Sequence, residues 1–252
     1  MKQFFASVIS NKEIAPETHL IWLESAGIAT TSKPGQFVMA SCGGGTLLRR
    51  PLSIHGVDRS RFSLLFRIVG EGTYWLAQRQ IGNIVDVFGP LGNGFVIQPL
   101  ARKILLIAGG IGLTPLVYLA KVAATHGIKA TLLIGTSSAA HFPDLPIDGV
   151  NIVKATDDGS EGYNGPVTDL IKNHLDRVDQ VFACGPLPMY RTMSRMSELK
   201  DKSVQVSLEV RMACGLGICY ACTIKTRNGL KQVCNNGPVF DLNDVLWDEV
   251  AC

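Results

Sequence analysis

Four cysteines fall within 21 positions near the end of the chain, spaced Cys214-x4-Cys219-x2-Cys222-x11-Cys234. Four thiolates are the ligand set of a 2Fe-2S cluster, and the x4, x2 spacing puts three of them on one tight loop while the fourth arrives from a later strand. Ala213, Gly215 and Gly217 lie among them, small residues that let backbone N–H groups approach the sulfurs. A structural zinc site would more naturally show two paired CxxC knuckles, and only Cys219 and Cys222 form one. A dithiol using that pair alone leaves Cys214 and Cys234 without a task. The spacing therefore favours iron–sulfur chemistry, near the surface, where electrons can be exchanged with a partner.

A second set of residues has the chemistry of nucleotide binding. Gly109-Gly110-Ile111-Gly112-Leu113-Thr114-Pro115 follows an apolar run and opens a helical pattern, where a pyrophosphate can rest on helix N-terminal amides. Pro115 takes the place of the third glycine, and a first-turn proline loses no hydrogen bond. The following strand ends in Gly135-Thr136-Ser137 with no acidic residue to clamp a ribose, so a plain strand-to-helix turn remains the other reading. Cys184-Gly185-Pro186 stands at the carboxyl end of a strand, the edge where open α/β sheets bind ligands. Cys184 is thus a candidate catalytic residue, against the alternative of a buried cysteine before a turn. Cys42 and Cys252 have no assigned role.

Earlier in the chain, Arg49-Arg50-Pro51-Leu52-Ser53 and Arg67-Ile68-Val69-Gly70-Glu71-Gly72-Thr73 could share one pyrophosphate, with guanidinium on one side and amides on the other. The competing reading is a surface arginine pair and a turn. Electron counting adds a constraint. Nicotinamide carries two electrons as a hydride and a 2Fe-2S cluster accepts one, so a chain with both needs an intermediary such as flavin.

The elements that must position these residues change character along the chain. Residues 4–10, 19–23, 36–39, 61–69 and 83–88 read as short strands, the spacing of an antiparallel barrel, closed by a turn cluster at 89–94. Strands at 103–108, 130–134, 151–155 and 180–183 then alternate with helices at 114–126 and 167–173, which implies a parallel sheet covered by helices. The expected division is a barrel over 1–98, an α/β domain over 99–208 and a cysteine module over 209–252.

The 252 residues carry Lys+Arg 24 against Asp+Glu 21 and are 46% hydrophobic. That excludes a mainly disordered chain and a dedicated nucleic-acid binder. Residues 104–120 are uncharged but hold Gly109, Gly110, Gly112 and Pro115, which suits a buried strand turning into a helix better than a membrane span. The N-terminal segment has too short an apolar run for a signal peptide, and an odd count of seven cysteines fits a reducing, cytoplasmic setting.

Together and in this order, these motifs resemble the ferredoxin-reductase-like flavoproteins, and most closely the electron-transfer subunits of B-type dihydroorotate dehydrogenases. The resemblance covers essentially the whole chain. It implies FAD held by Arg50, Pro51, Leu52 and Ser53, by Leu65, Phe66 and Arg67, and by the Gly72-Thr73 turn. It implies NAD at Gly109, Gly110, Gly112 and Pro115 with Cys184 nearby, and a 2Fe-2S cluster on Cys214, Cys219, Cys222 and Cys234. Leu52 stands where many ferredoxin reductases carry an aromatic, and the x11 gap is shorter than in free plant-type ferredoxins, as suits an appended module. The implied function is a relay in pyrimidine biosynthesis. An FMN-containing partner, two of each chain, oxidises dihydroorotate, and the electrons pass through 2Fe-2S and FAD to NAD+. An electron-transfer subunit of a hydrogenase or a ferredoxin:NADP oxidoreductase type complex is the alternative within the class. A zinc-stabilised binding module is the alternative outside it. The five histidines are scattered and supply no acid–base constellation of their own.

Overall fold

The computed structural model describes residues 2–145 and 147–250; Cys252 lies outside them. Six strands close a barrel: β1 (Lys2–Ala15), β2 (Thr18–Glu24), β3 (Phe37–Ala40), β4 (Arg50–Asp58), β5 (Arg61–Arg67) and β6 (Ile84–Leu91), ordered β1-β2-β5-β4-β3-β6. All neighbours are antiparallel. Two short helices, α1 (Ala26–Ala29) and α2 (Glu71–Ala77), interrupt them. Ala6, Val8, Ile21, Leu23, Ile54, Phe62 and Leu64 fill the interior, as period-2 alternation requires.

Two details differ from the sequence expectations. Arg50-Pro51-Leu52-Ser53 begins β4, a strand of its own; its Arg-Arg-Pro start masks the apolar alternation, and Pro51 is tolerated because it opens the strand. Gly89-Pro90-Leu91 continues β6, because Leu91 still pairs with Phe37 across the barrel.

Beyond the barrel stand β7 (Lys103–Gly109), α3 (Leu113–Thr125), β8 (Lys129–Thr136), β9 (Val150–Thr156), β10 (Tyr163–Asn164), β11 (Gln180–Cys184), α4 (Leu187–Arg195) and β12 (Ser203–Ser207). The strands are parallel, in the order β10-β9-β8-β7-β11-β12. The apolar run of β7 is explained by burial on both faces: Leu105 and Ile107 enter one core, and Ile104, Leu106 and Ala108 the other. Each such side chain contributes about 1.5–3 kcal/mol. The helix expected over 167–173 is two 3-10 turns, Val167–Leu170 and Lys172–His174. A stretch this short, entered through Pro166, does not sustain an α-helical nucleus, and its amides close i→i+3 bonds instead, Ile171 N–H to Thr168 O at 3.2 Å.

The remaining segment holds β13 (Thr223–Thr226), β14 (Gly229–Gln232), α5 (Val233–Asn236) and β15 (Val239–Asp241). β15 returns to the large sheet and pairs antiparallel with β12. Cys222, Ile224, Val233, Cys234 and Trp247 share one core with the α4 side of that sheet and with Phe37, Met39 and Leu91 of the barrel. The cysteine segment is therefore wedged between barrel and sheet. On the other side α3 is the common wall: Leu116, Leu119 and Ala120 face the sheet, while Tyr118 enters the barrel core and donates to Ser32 O at 3.0 Å. Among the described residues no helix is long and apolar enough to cross a membrane.

Candidate functional site: two clefts and a cysteine loop

The first cleft, about 450 Å³, lies between the barrel and the end of β12. Arg50, Pro51, Leu52 and Ser53 on β4 line it with Leu65, Phe66 and Arg67 of β5 and with Thr73. Strand alternation sorts the three β5 residues. Leu65 and Arg67 face the cleft, whereas the Phe66 ring is buried in the barrel core, stacked on His19 at 5.8 Å, so Phe66 offers the cleft only its backbone. Arg49 is bound to Asp86 through two contacts of 2.6 and 3.0 Å. Arg50 donates to Leu48 O at 2.7 Å, and of five guanidinium donors the others remain for a ligand. It lies across Gly72, where an added Cβ would sit 2.8 Å from Arg50 Nε. Thr73 braces the turn, accepting Val69 N–H at 2.9 Å and donating to Gly70 O at 3.1 Å. A cation over a turn at one end and an apolar wall at the other is a fit for a flavin nucleotide.

The second cleft, about 710 Å³, opens at the carboxyl edge of the parallel sheet. Gly109 of β7 pairs in register with Gly135 of β8, and Ala108 with Cys184 of β11. The chain leaves β7 toward β8 on one side and returns as β11 on the other, so the cleft sits at the switch point of the sheet. Gly109, Gly110, Gly185 and Pro186 line it. Gly112 and Pro115 do not. An added Cβ on Gly112 would collide with the Cys184 carbonyl, and Pro115 is buried in the first turn of α3.

Cys184 is also turned away from solvent. Its thiol is wholly buried, 4.0 Å from Glu209, and burial followed by the nearby Glu209 charge holds it well above its ordinary pKa. Tyr190 fixes this corner, accepting Gly185 N–H at 2.8 Å and donating to Ser207 O at 2.6 Å. Glu209 reaches solvent through the cleft mouth while protein surrounds it on its other sides, and that desolvation raises its pKa. Glu209 and Ile111 border both clefts.

The cysteines form two pairs, Cys214 with Cys219 and Cys222 with Cys234. Cys214 Sγ accepts the Leu216 N–H at 3.2 Å, and Cys222 Sγ accepts the Cys234 N–H at 3.4 Å. Burial pushes Cys214 up, but the Leu216, Ile218 and Cys219 amides and the Cys219 thiol outweigh it and bring the thiol down to about 6. Burial, then the bond to Cys222, pushes Cys234 up to about 12. Among the described residues no three His, Cys, Asp or Glu side chains converge on one point as ligands of a single ion; the sulfurs stand as two pairs. Ile218 and Tyr220 flank them, 71% and 70% exposed. The loop backs onto the first cleft: Met212 and Val210 line that cleft, and Gly215 lies against Met39 and Leu91.

Residues 209–246 match the iron-sulfur cluster binding domain of dihydroorotate dehydrogenase B. Over 98% of its length the chain is 38% identical to the dihydroorotate dehydrogenase B (NAD(+)) electron transfer subunit of Desulforamulus reducens, covering 99% of that protein. It is 36% identical to the corresponding subunit of Caldanaerobacter subterraneus subsp. tengcongensis, with 96% and 98% covered. The chain belongs to the family of dihydroorotate dehydrogenase B electron transfer subunits. The solved structure of an NADH-dependent reduced ferredoxin-NADP oxidoreductase, studied for flavin-based electron bifurcation, superimposes with a TM-score of 0.88 at 26% identity, with 97% of this chain and 91% of that one covered. The ferredoxin reductase of carbazole 1,9a-dioxygenase shares the fold, with a TM-score of 0.71 at 19% identity over 81% of this chain and 68% of that one.

Motif reading passes over several residues at these places. Glu209, Met212 and Pro238 line the first cleft. Asn93 ties the barrel to the cysteine segment, donating to Asn236 O at 3.1 Å and Val239 O at 2.8 Å and accepting Val239 N–H at 3.1 Å. One signal could have located Glu209: it follows β12 at the same carboxyl edge as Cys184, but β12 is five residues of Ser-Val-Gln-Val-Ser with little apolar signature. Cys42 is a core thiol, pushed up to about 11 by burial.

Proposed function

We propose that this subunit passes electrons, released from dihydroorotate by an FMN-containing catalytic partner, to NAD+, using FAD in the first cleft, NAD(H) in the second and a 2Fe-2S cluster on Cys214, Cys219, Cys222 and Cys234. The observation that carries the reading is the adjacency of the three places. The first cleft shares Ile111 and Glu209 with the second and is walled on its other side by the segment leading into the cysteine loop. The paired sulfurs suit two irons, one pair to each.

Bound there, flavin supplies hydride exchange with nicotinamide and single-electron exchange with an iron–sulfur centre. The protein's part is binding and exclusion. Arg50 neutralises phosphate over the Gly72-Thr73 turn, with Pro51, Leu52, Ser53, Leu65, Phe66 backbone and Arg67 forming the wall. Gly109 and Gly110 let the dinucleotide approach the sheet edge, while Gly112 and Pro115 let the start of α3 pack closely behind them. Glu209 stands at the junction, 4.0 Å from the Cys184 thiol in the corner that Tyr190 fixes, where a carboxyl of raised pKa can exchange a proton with solvent. The balance is simple: dihydroorotate gives up two electrons and two protons, NAD+ takes two electrons and one proton, and one proton leaves. The exposed Ile218 and Tyr220 beside the cysteines are the docking face for the partner, in an assembly of two of each chain in the cytoplasm.

Mixed with its catalytic partner, the chain should form NADH from dihydroorotate and NAD+. Cys219→Ser with Cys222→Ser should remove iron and lower that rate by about 100-fold or more while flavin absorption is kept. An iron-free variant that still links dihydroorotate to NADH at the original rate would overturn the relay.

A further inference from the structure

NAD and NADP differ by one phosphate on the adenosine ribose, and β8 ends without the acidic residue that would tell them apart. The tertiary structure supplies one from the next strand. β8 and β9 run in register to Thr136 and Thr156, so Asp157 comes level with Ser137. The Asp157 N–H donates to Thr136 O at 3.1 Å and the Asp158 N–H to Ser137 O at 3.3 Å, locking the two strand ends together.

Four carboxylates stand in or near this cleft, and three have other engagements. Asp158 accepts from Ser160 N–H at 2.9 Å and from Ser160 Oγ at 2.5 Å, and Ser160 in turn accepts the Ala139 N–H at 2.7 Å. Asp169 accepts from the Tyr163 hydroxyl at 3.2 Å. Glu209 lies at the far end, against the first cleft. Asp157 lines the cleft, and its carboxylate makes no side-chain hydrogen bond or ion pair among the described residues. No Lys, Arg or His lines the cleft with it. Arg67 and His141 border the adjoining small cavity and are engaged: Arg67 with Glu17 at 3.6 Å, and His141 with the Ser137 and Ser138 hydroxyls at 3.0 and 3.1 Å.

We infer that Asp157 receives the adenosine ribose hydroxyls of NAD(H) and rejects the 2′-phosphate of NADP(H); the inference rests on the dinucleotide reading of this cleft. A carboxylate carried on a backbone held in place by Thr136 can accept both hydroxyls of a ribose diol through charge-assisted bonds. The same carboxylate repels a phosphate carrying about 1.5–2 negative charges, and a lining without a cation offers that phosphate no compensating charge.

The test is steady-state ferricyanide reduction by the flavin-loaded full chain, in which NADH or NADPH gives two electrons to two ferricyanides. For Asp157→Asn we expect kcat/KM with NADH to fall about 10-fold and kcat/KM with NADPH to rise about 3-fold, both through KM. Asp157→Glu should keep the NADH preference. Opposite movement for the two donors is the decisive sign, because a merely structural lesion lowers both. A preference unchanged in Asp157→Asn, or a parallel fall with both donors, overturns the role of Asp157 while leaving the cleft reading intact. A wild-type chain that oxidises neither dinucleotide overturns the cleft reading itself.

Discussion

The sheet-edge cleft and the cysteine loop are both rich in glycine, but in the cleft glycine mainly makes room for closely packed neighbours, whereas in the loop it mainly supplies left-handed backbone. A Cβ on Gly109 would meet Pro186 Cδ at 2.6 Å, one on Gly135 would meet Val167 Cβ at 2.7 Å, and one on Gly112 would strike the Cys184 carbonyl. In the loop, Gly215 and Gly217 adopt φ of +69° and +77°, a left-handed conformation that costs other residues and that turns successive amides toward sulfur. The cleft is thus part of the packed fold before any ligand arrives. The loop takes its shape from local turns that aim amides at the Cys214 sulfur, and its outer face, Ile218 and Tyr220, stays exposed.

That contrast can be broken in order of expected effect. Gly112→Ala should be the most damaging, because backbone rather than a flexible side chain blocks the new methyl; we expect a loss of about 3 kcal/mol or more, read by urea unfolding, with dinucleotide binding lost alongside. If Gly112→Ala unfolds like the wild type, the cleft is not preformed by this packing.

Next is the wall that holds the barrel to the sheet. His55 is buried where β4 meets α3, its Nδ1 has no hydrogen-bond partner, and burial, with Lys121 adding to it, lowers its pKa to about 3. The unfolded chain takes up the proton near the ordinary value of about 6.5, so the unfolded state binds more protons between those values and stability falls as pH drops through that window. At pH 5 the loss is about 2 kcal/mol. Comparing urea unfolding at pH 7 and pH 5, His55→Phe should show a smaller decline than the wild type by about that amount; an identical decline would place the pH sensitivity elsewhere.

The mildest case is Gly217→Ala, with a strained φ and the new methyl 3.1 Å from Asn235 Cβ. About 1 kcal/mol is expected, together with reduced iron content at unchanged flavin content. Loss of flavin in step with iron would mean that the loop and the cleft are one cooperative unit after all.

Features legible without a structure are those that contiguous residues impose through local sterics and ligand chemistry. The x4, x2 spacing puts three thiols on one short loop, the Gly109–Pro115 stretch passes tightly from a strand into a helix, and alternation against continuous apolar runs separates barrel from parallel sheet. Motif reading went astray where a residue's role depends on what packs over it. Phe66 sits in a binding motif but alternation buries its ring beside His19. Cys184 marks the correct strand end, yet Tyr190 and Glu209 close over its thiol. Arg49 and Arg50 are adjacent in sequence, and Asp86, 37 residues on from Arg49, decides which of them is free. Only the tertiary structure brought Glu209 to the junction, carried β15 back to β12 and set Asp157 beside Ser137. Such pairings arise from the complementary packing of distant segments, and no local spacing encodes them.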